Sequence, residues 1–361
     1  MKNFLHGGNI YAKESPTGTW LDFSANINPL GMPDPVRETV REHLENIVHY
    51  PEPEAPRLKS AIAEHYGVSA EQIILGNGAS ELFYLFFHTV RPKHVLIPVP
   101  SFSEYERSAR AAGAECLFFP LMPEERFSVD PEKLNQAVPT ADCLILGNPN
   151  NPTGTLIPRE EMESLADTCK KNDCRLIVDE SFLDFREDGE RYTVRHLVPG
   201  HSNLFVIRSM TKFYAIPGLR LGFGIADGAF KKRMEQGKDV WNVNLLAQCA
   251  GIAALSDGGY EKRTRAWLRE EQNFLVNELR GLPAVEIIDP TVNFMLLKCG
   301  SSLLAAKILD GMRQRGILLR DCGNYRGLES GEYLRMAIRS HEENARLVQA
   351  WKEILREEDL L

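Results

Sequence analysis

Lys212 stands at a point in the sequence where an amine could react with a carbonyl compound. Residues 203–209, NLFVIRS, are apolar and β-branched enough to form a buried strand, and Lys212 follows that strand after a short turn. A lysine amine in such a place can form an imine. Ser209, Thr211 and Arg220 add the hydroxyl and guanidinium donors that a dianionic phosphate ester needs near the reacting carbon.

Pyridoxal 5′-phosphate is the cofactor that requires both an amine and a phosphate cradle. The alternative is a strand-end lysine that points into water while Arg220 pairs with a carboxylate. Residues 148–154, NPNNPTG, favour the cofactor, because they form a turn after the apolar run CLILG and Asn151 could donate to the ring oxygen of a pyridoxal.

A second buried strand, RLIVD in residues 175–179, ends at Asp179. This carboxylate lies 28 residues after Asn151 and 33 residues before Lys212. It could pair with a pyridinium nitrogen and keep that nitrogen protonated, so that the ring draws electrons from Cα. An isolated aspartate is more often a helix cap, but the order and spacing of the three motifs favour the cofactor.

These motifs resemble those of the aspartate aminotransferase superfamily, the fold-type I enzymes that use pyridoxal 5′-phosphate, and the resemblance runs from HGGNI at residue 6 to RMAIRS at residue 335. It implies that Lys212 and Asp179 are catalytic. It also implies a homodimer with shared active sites, in which Tyr50 reaches the cofactor phosphate of the other subunit. The predicted cofactor contacts are Tyr50, Ala79, Ser80, Phe102, Asn151, Asp179, Ser209, Thr211, Lys212 and Arg220. For Phe102 and Tyr50, a place in the core or an interface remains an alternative.

The alternation of strands and helices predicts an α/β fold with a mostly parallel sheet covered by helices on both faces. A chain of 361 residues exceeds the size at which a single core usually stops growing, so two domains are expected. By resemblance, residues 1–33 form an N-terminal arm that joins the small domain and covers the site. Residues 34–245 form the large cofactor-binding domain, and residues 246–361 form the smaller αβ C-terminal domain.

Composition restricts the class of protein and its partners. The net charge of −8 argues against binding to nucleic acid, which needs a basic surface. No apolar run approaches the roughly 20 residues of a membrane span, and the first 20 residues lack the apolar stretch of a signal peptide. The seven scattered cysteines fit reduced thiols, with no paired ligands for a metal site. We therefore expect a cytoplasmic enzyme with a small phosphorylated amino acid as its substrate.

Three features differ from a generic aminotransferase. Phe182 stands three residues after Asp179, where most aminotransferases of this group have a tyrosine. The segments HGGN at residue 6 and DFSANINPLG at residue 22 are rich in glycines, turn residues and donors, so we expect them to cover the site. Arg335 occupies the position at which the superfamily binds the substrate carboxylate. Arg339, four residues later, is an additional cation, although a solvated basic stripe is its alternative.

These features resemble the L-threonine-O-3-phosphate decarboxylases of cobalamin biosynthesis, which form (R)-1-amino-2-propanol O-2-phosphate. The resemblance therefore implies a carbon–carbon lyase. The predicted substrate contacts are His6, Asn28, Arg326, Arg335 and Arg339, without a division between carboxylate and phosphate. A preference for threonine phosphate or for serine phosphate stays open, because one methyl group separates the two.

Two other classes of function remain as alternatives. Histidinol-phosphate aminotransferases share the core motifs and also act on a small phosphorylated amine. A regulatory module that binds the cofactor next to a DNA-binding domain is a distant third, because the sequence contains no basic helix-turn-helix extension. An aminotransferase would convert the cofactor to its pyridoxamine form and need a 2-oxo acid as acceptor.

Overall fold

A seven-stranded sheet forms the centre of the structure, a computed structural model that describes residues 6–11 and 14–361. A two-residue strand, β1 (Leu21–Asp22), precedes it. The strands of the sheet are β2 (Ile73–Asn77), β3 (His94–Val99), β4 (Glu115–Pro120), β5 (Cys143–Gly147), β6 (Arg175–Asp179), β7 (Leu204–Ser209) and β8 (Leu221–Ala226). Their spatial order is β2-β8-β7-β6-β5-β3-β4, and only β8 runs antiparallel to its neighbours. The carboxyl ends of β2, β3, β5, β6 and β7 therefore meet at one edge.

Helices cover both faces of this sheet, because its strands are apolar on both sides. Leu176 and Val206 belong to one buried cluster, whereas their neighbours Ile177 and Phe205 belong to a second cluster on the opposite face. Such continuous apolar strands are typical of a sheet buried between two helical layers. The helices up to the end of the sheet are α1 (Asp34–Glu42), α2 (Pro56–Tyr66), α3 (Ala79–Val90), α4 (Ser103–Ala111), α5 (Pro131–Ala137), α6 (Arg159–Lys171), α7 (Met210–Phe213) and α8 (Gly228–Glu235).

The C-terminal part contains a smaller antiparallel sheet. Its helices are α9 (Leu245–Leu255), α10 (Gly258–Arg280), α11 (Ser302–Gln314) and α12 (His341–Glu357). Its strands are β9 (Val285–Ile288), β10 (Phe294–Cys299), β11 (Ile317–Leu318), β12 (Arg320–Asp321) and β13 (Tyr333–Ala337). The sheet order is β12-β13-β10-β9, and β11 pairs in parallel with β1. A strand within the N-terminal arm is thus paired with a strand of the C-terminal part.

The predicted architecture is confirmed: a mostly parallel sheet lies between two helical layers, with a smaller αβ part at the C-terminus. The antiparallel direction of β8 follows from a short connection. Only residues 210–220 separate β7 from β8, and a parallel return usually needs a crossover of a dozen residues or more. Among the described residues, no helix is long and apolar enough to cross a membrane.

Candidate active site

Side chains from three motifs gather at the edge where the parallel strands end. Asp179 is the last residue of β6, and Ser209 is the last residue of β7. The turn that contains Asn151 follows β5, whose last residue Gly147 pairs in register with Asp179. In sheets of this kind, ligands bind outside the carboxyl ends of the strands.

Lys212 lies on the single turn α7, directly after β7, where its amine can reach the strand ends. Its Nζ lies 3.1 Å from Oγ of Ser209. The pKa of Lys212 is lowered from 10.5 to about 8, chiefly by burial; the charge of Asp179 opposes this shift and the charge of Arg220 adds to it. A large fraction of the amine is therefore neutral near pH 8, the form that attacks a carbonyl carbon.

Asp179 is held in one orientation by two donors. The hydroxyl of Tyr105 donates to Oδ2 at 2.7 Å, and the backbone N–H of Ser181 donates to Oδ1 at 2.9 Å. Burial, with the charge of Asp179 as a second cause, raises the pKa of Tyr105 well above its ordinary value. Tyr105 is consequently a neutral donor to the carboxylate, and this orients Asp179 at the end of β6.

A cradle for an anion forms where α3 begins. Ala79 and Ser80 are the first residues of this 12-residue helix, whose N-terminal amides and dipole favour a phosphate. Gly78 precedes them with φ +78°, and a Cβ at this position would lie 2.2 Å from Nη2 of Arg220. The guanidinium of Arg220 is therefore packed against the start of the helix.

The neighbouring strand approaches the same amides closely. A Cβ on Gly222 of β8 would lie 2.5 Å from the backbone nitrogen of Ala79. On the side of β7, the hydroxyls of Ser209 and Thr211 lie 2.8 Å apart. Amides, hydroxyls and a guanidinium from three separate segments are thus brought together, as phosphate binding requires.

Arg335 is buried beside Asn151. Its Nη1 donates to Oδ1 of Asn151 at 2.6 Å and to the hydroxyl of Tyr325 at 3.4 Å, while Nη2 donates to the carbonyl of Ser24 at 2.7 Å. Its Nε has no partner among the described residues. The amide nitrogen of Asn151 likewise has no partner in that part of the chain, so it stays available as a donor while Oδ1 is held by Arg335.

Two phenylalanines border the site. The ring of Phe102, just before α4, lies 5.7 Å from the rings of both Tyr105 and His6. Phe182 is buried, and its ring centre lies 5.8 Å from Nζ of Lys212. At Phe182 the wall next to the lysine is hydrocarbon, without the hydroxyl that a tyrosine would bring there.

The N-terminal arm lies over this region. Nε2 of His6 is 2.8 Å from Oε1 of Glu104, on the first turn of α4. A Cβ on Gly7 would lie 2.0 Å from the carbonyl oxygen of Ser24, so the arm backbone contacts that segment directly. The predicted covering role of the segment around residue 6 stays a prediction.

A cavity of about 370 Å³ opens next to the arm, bordered by His6, Ser24, Arg320 and Asn324 among others. Arg320 is opposite Arg335 in the pairing of β12 with β13. Nη2 of Arg320 donates to Oδ1 of Asn324 at 2.7 Å. The cavity is also bordered by Arg313, by the acidic residue Asp321 and by apolar residues, so cationic, anionic and apolar side chains meet close to Arg335.

Asn28 supports the turn that carries Lys212. Its amide nitrogen donates to the carbonyl of Phe213 and to the hydroxyl of Thr264, both at 2.8 Å, and its backbone N–H donates to the carbonyl of Lys212 at 3.1 Å. The side chain is 2% exposed. These bonds assign Asn28 a supporting role, and its predicted contact with substrate stays a prediction.

Arg326 and Arg339 have carboxylate partners. Arg326 donates to Glu106 at 3.0 Å and stacks on Phe118 at 3.8 Å. Arg339 donates to Glu343 at 2.8 Å and to the carbonyl of Asp22 at 3.1 Å. Contacts of these two arginines with substrate also stay predictions.

Tyr50 lies away from the strand ends of its own chain. It is 76% exposed and stacks on Trp241 with ring centres 4.4 Å apart. Ile47 and Val48 are also exposed nearby in sequence. The predicted contact of Tyr50 with a partner subunit stays a prediction, for which an exposed aromatic pair is a suitable surface.

Sequence reasoning missed Tyr105 and Arg320 as residues of the site. Tyr105 was within the segment PSFSEY that indicated Phe102, but nothing in the sequence links it to Asp179, 74 residues later. Arg320 is in the segment LLRDCGNY, and its relation to Arg335 depends on the pairing of β12 with β13. The only sequence signal for Arg320 was its basic side chain at the end of a short apolar run.

Comparisons with known proteins agree with the fold and with the site. The model of the family described as aminotransferase class I and II matches residues 18–350, and the chain belongs to this family. Threonine-phosphate decarboxylase from Salmonella typhimurium is 38% identical to the chain, over 98% of the chain and 97% of that protein. The adenosylcobalamin biosynthesis bifunctional protein CobDQ from Leptospira interrogans is 32% identical, over 97% of the chain and 41% of its own length.

Two solved structures are also similar. Histidinol-phosphate aminotransferase from Clostridium acetobutylicum has a TM-score of 0.86 and 31% identity, covering 93% of this chain and 99% of that chain. L-threonine-O-3-phosphate decarboxylase from Porphyromonas gingivalis has a TM-score of 0.81 and 29% identity, covering 92% and 99%. The fold is therefore that of the fold-type I enzymes.

The residues present fit pyridoxal 5′-phosphate, the cofactor of this family. An amine with a lowered pKa, an oriented carboxylate and a phosphate cradle at a helix N-terminus are the three groups that the cofactor requires. Gly78 and Gly222 pack closely against the phosphate cradle, so the shape of the cradle depends on the absence of side chains at these two positions.

Proposed function

We propose that this protein decarboxylates L-threonine O-3-phosphate to (R)-1-amino-2-propanol O-2-phosphate, with pyridoxal 5′-phosphate as its cofactor, in cobalamin biosynthesis. The observation that carries the proposal is the similarity to the Salmonella typhimurium threonine-phosphate decarboxylase over nearly the whole of both chains. The similarity to a bifunctional protein of adenosylcobalamin biosynthesis supports the same pathway.

When bound, the cofactor supplies a sink for the electron pair that remains on Cα after carbon dioxide departs. Lys212 attaches it, and the lowered pKa keeps a large part of the amine neutral near pH 8. Asp179, oriented by Tyr105, pairs with the ring nitrogen and keeps it protonated. After decarboxylation, Lys212 is the group that delivers a proton to Cα.

Arg335 selects the bond that breaks. The orientation of the substrate carboxylate would decide which bond to Cα breaks, and the guanidinium fork of Arg335 could hold that carboxylate in place. Arg335 is itself fixed by Asn151 and by the carbonyl of Ser24. Asn151 is also the proposed donor to the ring oxygen of the cofactor. The side chain of Asn151 would therefore contact both the cofactor and Arg335, the arginine that binds the substrate carboxylate.

The cavity next to the arm is the proposed place for the substrate phosphate. His6 and Arg320 border it, and Arg335 is opposite Arg320 in the sheet. The predicted substrate contacts of Arg326, Arg339 and Asn28 belong to the same proposal. Arg326 and Arg339 would bind the substrate only by giving up their bonds to Glu106 and Glu343.

The assembly and location are proposed as follows. The chain forms a homodimer in which Tyr50 contacts the cofactor phosphate of the other subunit, and the exposed pair of Tyr50 and Trp241 supports this surface. Residues 1–33, 34–245 and 246–361 act as arm, large domain and small domain. The enzyme is cytoplasmic, which is consistent with seven cysteines that all lack disulfide partners.

A histidinol-phosphate aminotransferase is the second candidate. It is favoured by one observation, the TM-score of 0.86 with the Clostridium acetobutylicum enzyme of that name at 31% identity. Both reactions use the same cofactor chemistry at first and differ in whether carbon dioxide or the α-proton leaves Cα. The two are separated by their products.

The test measures carbon dioxide released from L-threonine O-3-phosphate by the cofactor-loaded protein without any 2-oxo acid. Parallel reactions contain L-serine O-phosphate alone, or histidinol phosphate with 2-oxoglutarate. Carbon dioxide together with amino-propanol phosphate supports the proposal, and a faster rate with serine phosphate would change the assigned substrate. Glutamate from the histidinol phosphate reaction, with no carbon dioxide in the others, would replace the decarboxylase with the aminotransferase.

A further inference from the structure

Glu104 is a buried carboxylate close to the site, and the mechanism above gives it no task. It is 6% exposed, on the first turn of α4, two residues after Phe102. A negative charge in this place repels a doubly charged phosphate substrate unless other groups neutralise it. The partners of Glu104 therefore determine what it does.

Three side chains bind this carboxylate. Nε2 of His6 lies 2.8 Å from Oε1, Nη1 of Arg107 donates to the same oxygen at 3.3 Å, and the hydroxyl of Tyr84 donates to Oε2 at 3.3 Å. Burial alone raises the pKa of Glu104, but the bonds and charges of His6 and Arg107 lower it overall. Glu104 is consequently a charged acceptor for His6, which is the only one of the three on the arm.

The arm continues from His6 to the segment that holds Arg335. Gly7 contacts the carbonyl oxygen of Ser24, and the backbone N–H of Gly8 donates to Oγ of Ser24 at 2.8 Å. The same carbonyl accepts the 2.7 Å bond from Nη2 of Arg335. Ser24 is therefore shared between the arm and the arginine that binds the carboxylate.

Ser24 is itself fixed from the other side. Its hydroxyl donates to Oδ1 of Asp22 at 2.6 Å, and its backbone N–H donates to the same oxygen at 2.8 Å. Asp22 lies on β1, which pairs with β11. The arm thus has two anchors, a rigid one at Ser24 and a single side-chain bond at Glu104.

We propose that Glu104 is a positioning residue for the substrate: it holds His6 at the edge of the cavity and thereby keeps residues 6–8 closed over Phe102 and Arg335. It acts through His6 and does not contact the substrate. This inference rests on the proposed function for the identity of the substrate, whereas the closure of the arm is independent of it. Weakening of this bond should loosen residues 6–8, including the bond from the N–H of Gly8 to Oγ of Ser24, while Ser24 and Arg335 themselves remain in place.

The experiment uses the cofactor-loaded enzyme and the variant Glu104→Gln, and it has two readouts. Hydrogen–deuterium exchange of a peptide that contains residues 6–11 reports closure of the arm without substrate, because the N–H of Gly8 is bonded to Ser24. Steady-state kinetics with L-threonine O-3-phosphate report binding. We expect faster exchange in this peptide and KM raised about fivefold, because a neutral amide oxygen replaces the charged acceptor of His6, with kcat within about twofold.

Matched variants separate this role from a general loss of stability. Glu163→Gln removes the carboxylate from another glutamate–histidine pair, whose His196 lies 2.9 Å away on the surface, and should change neither readout. His6→Asn should reproduce the faster exchange and raise KM at least as much, because His6 also borders the proposed phosphate site, and the double variant should be no worse than His6→Asn alone. If Glu104→Gln does not fold, the exchange readout of His6→Asn tests the closure of the arm.

Three results would overturn the proposal: unchanged exchange in residues 6–11, faster exchange with unchanged KM, or a double variant whose KM equals the product of the separate effects. The exchange measurement does not depend on the reaction. If the wild-type protein releases no carbon dioxide, the proposed function fails, while exchange still decides whether Glu104 closes the arm.

Discussion

Replacing Gly78 with alanine should weaken cofactor binding as well as lower the stability of the protein. Gly78 has φ +78° and ψ 163°, a conformation that side chains other than that of glycine rarely adopt. The new Cβ would also lie 2.2 Å from Nη2 of Arg220, well inside van der Waals contact. The guanidinium therefore has to leave the start of α3.

Two costs follow from this geometry, and they affect different measurements. Backbone strain of this kind costs about 1–3 kcal/mol and lowers the free energy of unfolding. Displacement of Arg220 removes a charge-assisted hydrogen bond to phosphate, which is worth about 1.5–3 kcal/mol. At about 1.4 kcal/mol for each factor of ten, the dissociation constant for pyridoxal 5′-phosphate should rise about 10- to 150-fold.

The assay titrates the apoprotein with pyridoxal 5′-phosphate and follows absorbance, with thermal unfolding measured in parallel. Gly113→Ala is the matched control, because Gly113 has φ +86° and no atom within 4 Å of the added Cβ. It should lower stability and leave cofactor affinity unchanged. Equal affinity in Gly78→Ala and the wild type would refute the assignment of Arg220 and the start of α3 to the phosphate cradle.

Three further predictions concern other parts of the protein. In the apoprotein, the rate at which Lys212 reacts with pyridoxal phosphate should rise with pH up to about 8 and level off above it, because burial lowers the pKa of this amine; a plateau only near 10.5 would contradict this, and Lys212→Ala should abolish turnover. Glu180→Gln removes one of the two carboxylates that pair with the buried Arg208, while Asp184 stays 2.7 Å away, and should cost about 1.5–3 kcal/mol in chemical denaturation; a loss below about 1 kcal/mol would exclude a strong pair. Arg335→Lys keeps the charge but loses the fork, so KM should rise by about tenfold or more; an unchanged KM would remove Arg335 as the carboxylate clamp.

The central motifs could be predicted because each depends on local sequence. Asp179 and Lys212 follow buried strands directly, and a strand of apolar β-branched residues can be recognised from a few positions. Parallel strands bring their carboxyl ends to one edge, so separate motifs could be placed together without knowing any contact. The α12 start at Ser340 was also predictable, since its capping box with Glu343 is a local pattern.

The remaining contacts depend on pairings between distant segments. Tyr105 reaches Asp179 only because α4 packs beside the end of β6, and Arg320 is opposite Arg335 only through the pairing of β12 with β13. The bond between His6 and Glu104 joins residues 98 positions apart. Residue types indicated a group of cations around the substrate. The partner of Arg326, Glu106, is 220 residues away in the sequence, whereas the partner of Arg339, Glu343, follows at the local spacing of i,i+4.

The reversed direction of β8 has a consequence for how the coenzyme is retained. Because β7 and β8 run antiparallel, the single connection of residues 210–220 carries both Lys212 and Arg220. In the proposed site, both side chains would therefore hold one small molecule from the same connection, Lys212 at its carbonyl carbon and Arg220 at its phosphate. Arg220 would then keep the coenzyme bound whenever Lys212 is not attached to it.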